Sequence, residues 1–472
     1  MDTEVNKWYV CLYAIVLMLS AISSGYYVSF TSNWGFRYTL TDTNWTTPLI
    51  IVPGTIIGNA IVGFLPKVSK RKKIIFASFL IILSKILFCL IVYYSLTEDI
   101  YFYFSLFAVF IYGIGIAMNS VTVPLYLRDI IPKEGLDKSL VFYIIFFCSG
   151  SIFYFVIQIA LWSLFKLEDI VTIFNVACSI PIILSLAQLI FLITVFRRDS
   201  PKDLCLASLQ EDAMEELLNI YPSKERRISE FEQLGQMSVA FKFEYPTYSK
   251  LFSRTHIGSL LKASLAIFLK APLILIGNKL LPLFSYAIHR DLISGYMVGT
   301  ACQLTIILGS LFAFLFIDKP LNKRVQLFFS IILSLCVLGL TITSFELTFE
   351  DVHSYSNPTI IIMVLGVSAI FLYGLLIYVH FFIYAMKTVP ERGFTLVMVL
   401  DWLGITIILA GYDICFYNFA ENLSTLYACY GIFCFIASII STVFLYCYIP
   451  KSFSAYTEPT KSSEKETSSF TD

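Results

Sequence analysis

Residues 197–255 read RRDSPKDLCLASLQEDAMEELLNIYPSKERRISEFEQLGQMSVAFKFEYPTYSKLFSRT, a long polar run in the middle of an apolar chain. Crossing a bilayer takes about 20 apolar residues. Six stretches of that length precede the polar run, at 8–30, 48–66, 74–95, 100–127, 139–165 and 171–195. Six more follow it, at 259–288, 292–317, 325–345, 359–387, 393–418 and 425–448. The chain as a whole is 58% hydrophobic and only 14% charged, where soluble domains carry about a quarter charged residues. Lipid tolerates only internally bonded backbone, so each stretch is expected to be a helix. The reading is an all-α membrane protein of twelve transmembrane helices in two six-helix bundles, 1–196 and 259–450. Between them lies a helical loop, 197–258, and after them a disordered tail, 451–472.

Charge sets the orientation. Lys67, Lys70, Arg71, Lys72 and Lys73 fall between spans two and three, and Arg128, Lys133 and Lys138 between four and five. Lys319, Lys323 and Arg324 fall between eight and nine, and Lys387 and Arg392 between ten and eleven. The alternate connections are acidic, with Glu98, Asp99, Glu168, Asp169, Glu346, Glu350 and Asp351. Basic connections mark the cytoplasmic side. Both termini and the polar loop are therefore expected in the cytoplasm. Trp8–Val28 is too long for a signal h-region and reads as the first span. The sequons at Asn44 and Asn422 fall in outer loops, where glycosylation and chance occurrence both remain open.

The polar loop has structure of its own. Ser208-Leu209-Gln210-Glu211 reads as a capping box. Leu209, Ala213 and Leu217 then form one stripe of an amphipathic helix. After Pro222 a second helical stretch carries Ile228, Phe231 and Leu234, so a small cap is expected against the spans. The eleven cysteines lie mostly in apolar stretches and read as packing residues. Net charge is zero, which gives no ground for a nucleic-acid partner. No P-loop, metal-ligand spacing or nucleophile with a convincing base is present, so neither an enzyme nor a cofactor or metal site is expected.

The strongest motif closes span four: Gly113-Ile114-Gly115, then Pro124-Leu125-Tyr126-Leu127-Arg128-Asp129-Ile130-Ile131-Pro132. Small residues let this helix pack closely, Pro124 is expected to bend it and Pro132 to end it. Asp199-Ser200-Pro201-Lys202 follows span six. Gly63 with Arg71-Lys72, and Asp318 with Lys323-Arg324, occupy equivalent places in the two halves. Pro390, Arg392-Gly393 and Trp402 lead into span eleven. In order and spacing these motifs resemble those of the sugar porter family of the major facilitator superfamily, from roughly residue 25 to 450. Departures are Asp129 for the family's Glu, a missing Arg-Gly after it, Lys67 for Asp, and Asp401 for the Asn before Trp402.

The resemblance implies the major facilitator fold, two bundles that rock about a midplane site. It also implies a latch of charges at the cytoplasmic ends, for which Arg71, Arg128, Asp129, Asp318, Lys323, Arg324 and Arg392 are the candidates. The alternative, an ordinary positive-inside residue, applies to the basic ones, whereas Asp129 and Asp318 are acids in basic loops and favour the latch. On the seventh helix the family's Gln pair falls on Leu273 and Ile274, which cannot bond a hydroxyl, leaving Asn278 and Lys279 as partial replacements. Lys279 either contacts substrate or an anion, pairs with Asp401 or Asp413, or snorkels to the interface. Lys85 and Lys270 pose the same question, although both could reach an interface. Gln303, His380 and Trp402 are candidate cavity residues.

Gly25-Tyr26-Tyr27 stands where proton-coupled members carry Asp after Gly-Tyr, and a phenol near pKa 10 does not cycle protons at neutral pH. Tyr27 therefore points to facilitated diffusion, with Asp401 and Asp413 the remaining proton candidates. The expected function is a facilitative carrier of a hexose or related polyol, acting as a single chain in the plasma membrane. A carrier of an anionic solute through Lys279, or a transporter-like sensor that binds without transport, are the alternatives.

Overall fold

The computed structural model describes residues 5–32, 46–66, 68–93, 98–164, 170–244, 251–252, 256–282, 285, 292–317, 323–345, 357–418 and 423–449. The first bundle contains α1 (Lys7–Ser32), α2 (Thr46–Phe64), α3 (Lys70–Tyr93), α4 (Glu98–Ile130), α5 (Lys133–Leu164) and α6 (Ile170–Thr194). Three more helices follow, α7 (Pro201–Leu206), α8 (Gln210–Ile220) and α9 (Lys224–Glu244). The second bundle contains α10 (Ile257–Leu275), α11 (Leu292–Phe316), α12 (Lys323–Phe345), α13 (Asn357–Tyr373), α14 (Val379–Thr388), α15 (Glu391–Asn418) and α16 (Leu423–Tyr448). A π-helical turn, Gly374–Tyr378, joins α13 to α14 into one span, and a second, Ile276–Leu280, extends α10.

Among the described residues, nine of these spans are long and apolar enough to cross a membrane by themselves, and Pro53–Phe64 and Cys178–Thr194 are shorter apolar helices. Their outer faces present Phe104, Ile183, Leu261, Phe328 and Val443 to the surroundings. In water such a surface would aggregate; in lipid it is the solvated face. The protein is a multi-pass integral membrane protein.

The halves meet most extensively along two helix pairs, α2 against α15 and α5 against α11, with smaller contacts of α4 on α15 and of α5 on α14. Within the first half α1 crosses α5 with backbones in direct contact. A side chain at Gly25 would strike the carbonyl of Phe147, and one at Gly150 the carbonyl of Ile22. Glycine is required at both by this approach rather than by backbone conformation. α4 runs unbroken through Pro124 and ends at Ile130, so the expected bend does not interrupt it.

The polar stretch folds as three helices docked on the ends of the spans that carry the basic connections, called the basic face below. Asn6 donates its backbone N–H to the Ile220 carbonyl at 2.9 Å, and the Tyr9 hydroxyl donates to Glu216 Oε1 at 2.6 Å. Ala213, Leu217 and Ile220 form the buried stripe of α8, whereas Leu209 is exposed. The expected capping box does not form. Ser208 takes a left-handed backbone with φ of 64°. Its N–H bonds the Cys205 carbonyl, and the Leu209 N–H bonds that of Leu204. Those two bonds are the Schellman closure of α7. They spend Ser208 on ending one helix rather than starting the next. The side-chain cap lies upstream, where Ser200 Oγ accepts from the Asp203 N–H at 3.1 Å with Pro201 at the first helical position.

The sequons at Asn44 and Asn422, the acids Glu168, Asp169, Glu346, Glu350 and Asp351, and the tail 451–472 lie outside the described residues, whereas Glu98 and Asp99 open α4.

Candidate functional site

On the basic face, the start of α3, the end of α4, α7 and the start of α15 converge on a cluster of six charges. Lys70 lies between three carboxylates, 2.7 Å from Asp129, 2.9 Å from Asp203 and 3.6 Å from Glu391. Glu391, from the second half, also takes Lys202 at 2.5 Å and Arg128 at 2.9 Å. Three cations and three carboxylates thus balance. The α7 cap explains how Asp203 reaches Lys70: Ser200 and Pro201 fix the first turn, and Asp203 points back to accept from both the backbone N and Nζ of Lys70 at 2.9 Å. A second bridge between halves joins Lys387 on α14 to Asp137 on α5 at 2.6 Å.

Burial by itself raises the Glu391 carboxyl, but Lys70, Lys202 and Arg128 outweigh it and hold it well below the usual carboxylate range. A group lowered in this way contributes its stabilisation everywhere above the ordinary carboxylate value of about 4.3, and loses it only as pH falls through the lowered one. Closure of this face is therefore expected to be independent of pH between about 5 and 7, below the range in which the neighbouring Lys73, lowered by burial to about 8, loses its proton. Solvent accessibility of a label at Thr395, which lines the gap beside Glu391, measures it across that range.

Deeper between the halves stands an aromatic wall. The ring of Tyr27 meets Tyr112 edge-on with centroids 4.5 Å apart, and Trp402 of the second half at 6.2 Å. Trp402 Nε1 donates to Ser120 Oγ at 3.0 Å, a buried bond between α15 and α4. On the α5–α11 side, Tyr154 and Phe155 face Tyr296 at 6.4 and 6.3 Å. Beside Ser120, both side-chain polar atoms of Asn119 are buried without a protein partner among the described residues; Asn59 on α2 shares this state. A buried amide left so is costly unless water or a ligand completes it.

Two buried lysines behave differently. Lys270 on α10 bonds Asp401 on α15 at 2.9 Å, both nearly inaccessible, and the Tyr373 hydroxyl donates to the Lys270 carbonyl at 3.0 Å. Lys85 on α3 is fully buried, with Nζ over the rings of Tyr112 at 4.0 Å, Phe30 at 4.2 Å and Phe88 at 5.3 Å. No acceptor reaches its Nζ among the described residues. Cation–π contact recovers only about 2 kcal/mol of a buried charge. Replacing Lys85 by Met, of similar length, is expected to raise the apparent melting temperature of the purified protein by a few degrees.

Of the residues named from sequence, Tyr27 and Trp402 meet in the wall, and Arg128 and Asp129 in the charge cluster. Arg392 lines the gap beside Glu391. Arg71 bonds within its own half, to the carbonyls of Leu192 and Phe196 at 2.8 Å, with Asp199 at 3.6 Å. Lys323 donates to the Tyr446 carbonyl at the end of α16 at 3.0 Å, and Arg324 is exposed nearby on α12. Neither stands in the cluster. Gln303 is buried on α11. His380 is buried beside the π turn, its imidazole bonding the backbone of Leu375 and Leu376.

Asn278 and Lys279 fall in the π turn of α10, and their side chains, with that of Asp413 and all of Asp318, lie outside the described residues. Asp401, one of the partners considered for Lys279, is taken by Lys270, which is not at an interface. Sequence reading passed over Glu391, Lys202, Asp203, Asn119 and Ser120. The signal for the last two was a polar run, Asn119-Ser120-Val121-Thr122, inside a span. Glu391 was an acid in a basic connection, the criterion already applied to Asp129.

A family model described as "Sugar (and other) transporter" matches residues 13–458. Among solved structures, the chain is similar to "the MFS (major facilitator superfamily) proton:xylose symporter XylE bound to 6-bromo-6-deoxy-D-glucose". Identity is 14%, coverage 96% of this chain and 100% of that one, and the TM-score 0.77. It is also similar to a partially occluded inward-open form of the xylose transporter XylE from E. coli. There identity is 15%, coverage 94% and 98%, and the TM-score 0.70. An inward-open form of the same E. coli transporter gives 16%, 93% and 96%, and 0.66. At these identities the likeness establishes the fold, the major facilitator fold of twelve helices. No curated protein matches the chain.

Proposed function

This chain belongs to the sugar (and other) transporter family, and from that premise we propose that it is a facilitative carrier of a hexose or a related small sugar or polyol, working by alternating access. The observation that carries the reading is the wall at the seam of the halves, where Trp402 bonds Ser120 across the seam and stands edge-on to Tyr27, with the adjoining Asn119 amide lacking a protein partner among the described residues. An aromatic face suits the C–H face of a sugar ring, and an amide offers both donor and acceptor to a hydroxyl. A site built from such groups rejects solutes that lack the hydroxyl.

The two bundles, 1–196 and 259–450, rock about this seam, and the helices of 197–258 ride on the basic face, which is cytoplasmic by the excess of Lys and Arg. The carrier acts as a single chain in the plasma membrane. The Glu391 cluster is the gate on the cytoplasmic side, drawn shut in this conformation. Uncoupled transport is the reading: Tyr27 supplies no acid and Asp401 serves as the counter-ion of Lys270, which leaves Asp413 as the remaining proton candidate.

Counterflow of labelled glucose, xylose and a polyol in proteoliposomes tests this. Saturable accumulation without a pH gradient, insensitive to a protonophore and cut about tenfold by Trp402→Ala, is expected. Accumulation that follows an imposed pH gradient would overturn uniport. Binding of sugar with no counterflow would make the protein a sensor.

A further inference from the structure

We infer that the seam between the docked helices and the two bundles is a regulatory site for a cytosolic phosphate monoester with an apolar or aromatic body, a nucleoside monophosphate being the class that fits. The seam holds a partly open cleft of about 350 Å³. That is within the range of small-molecule sites, about 300–1,000 Å³. Its wall comes from five pieces of chain that otherwise have separate roles: the α4–α5 junction, α7, α8, α9 and the end of α14. One side is apolar, built from Leu136, Leu217, Ile220, Leu234 and Met386 together with the ring of Tyr221. The other side is cationic.

Arg128, Lys133, Lys202 and Lys387 line it, against the carboxylates of Asp129 and Glu230. Glu391, 2.9 Å from Arg128 and 2.5 Å from Lys202, and Asp137, 2.6 Å from Lys387, stand outside the lining, while Asp129, within it, lies 3.8 Å from Lys202. The cations thus face the cavity with part of their neutralising charge set behind them. The fourth, Lys133, is exposed and bonds only an amide oxygen, Gln233 Oε1 at 3.5 Å, with no carboxylate in range among the described residues. A planar guanidinium and several ammonium groups converging beside an apolar wall suit a phosphate dianion carried on a compact organic body.

The location gives the consequence. Arg128 and Lys133 belong to the first half, Lys387 to the second and Lys202 to the docked helices. A ligand held by all of them exists only while the basic face is closed. By linkage it must favour that state, and so slow transport without competing for the sugar site. The inference rests on that face being the cytoplasmic one, but the binding test does not depend on transport, so the two readings fail separately.

The test uses the full-length protein in nanodiscs with AMP, adenosine and inorganic phosphate as probes, and binding followed by thermal shift and titration. A lipid headgroup could present the same phosphate, so nanodiscs containing phosphatidylinositol 4-phosphate form a separate arm. AMP is expected to raise the melting temperature where adenosine does not, and Lys133→Glu to weaken AMP at least tenfold while elution profile and sugar counterflow stay those of the parent. Lys133→Gln should give an intermediate loss. Stabilisation by the phosphoinositide but not by AMP, lost in Lys133→Glu, keeps the phosphate site and assigns its source to the bilayer. Adenosine binding as well as AMP, AMP binding unchanged in Lys133→Glu, or no response to any phosphate-bearing probe overturns the inference.

Discussion

Replacing Glu391 by glutamine is expected to unlatch the basic face. In the parent, Lys70, Lys202 and Arg128 balance Asp129, Asp203 and Glu391. Glu391 is the only one of the three carboxylates contributed by the second half, so its loss leaves one cation in excess on the first-half side and removes the attraction across the seam. Breaking a largely desolvated pair by deleting one partner costs about 3 kcal/mol or more, because a charge is left without compensation. If that cost falls on the closed state alone, the closed-to-open ratio drops on the order of 100-fold. A cysteine at Thr395, in a background depleted of native cysteines, should go from protected to rapidly modified by an impermeant maleimide applied to the basic face. Glu391→Asp, which keeps the charge but shortens the reach, should lie between. Protection unchanged in Glu391→Gln would show that Lys387–Asp137 and apolar packing hold the face shut without the cluster.

The second large effect is expected at Lys270 and Asp401, deep in the second bundle. Lys270→Met strands a carboxylate in the bundle interior, and Asp401→Leu strands an ammonium beside Tyr378 and Phe382, whose rings lie 5.1 and 5.9 Å from its Nζ. Either single change is expected to destabilise by about 3–5 kcal/mol, enough to lose most of the monodisperse protein. The double change removes both charges and is expected to recover most of that loss, since a buried pair is worth little against an apolar replacement. A double variant as poor as the singles would mean that the pair is held for geometry, through Tyr373 and the α10–α15 crossing, rather than for charge. Counterflow by a stable double variant would further separate this pair from proton handling.

The architecture was written plainly in the sequence because bilayer thickness imposes one length on every span, and a length repeated twelve times survives any amount of local divergence. Asp129 was legible because it is conspicuous as an acid among basic loops, whereas the helix start at Ser200-Pro201 was overlooked in favour of Ser208. What escaped was pairing. Nothing local to Glu391 says that it faces Lys70, which is 321 positions away and in the other half. The residues adjacent in sequence, Arg392 and Arg71, looked equally eligible; yet Arg71 closes the end of α6 and never leaves its own bundle.

Depth was the other blind spot. A lysine placed one turn nearer the interface can snorkel, and one placed a turn deeper needs a partner. Lys270 belongs to the second case because α10 starts at Ile257 and packs against α15, which brings Asp401 opposite it. The two π turns, Ile276–Leu280 and Gly374–Tyr378, left no pattern in the sequence, since a five-residue bulge shifts the helical phase without changing composition.

The account depends on two halves that separate and rejoin at the basic face. Double electron–electron resonance between spin labels at Lys72 on α3 and Val325 on α12, both exposed on that face, measures the separation directly. A short distance should dominate the parent, with a second, longer population growing in the presence of transported sugar and becoming the major one in Glu391→Gln. A single distance, identical in the parent, with sugar and in Glu391→Gln, would contradict it.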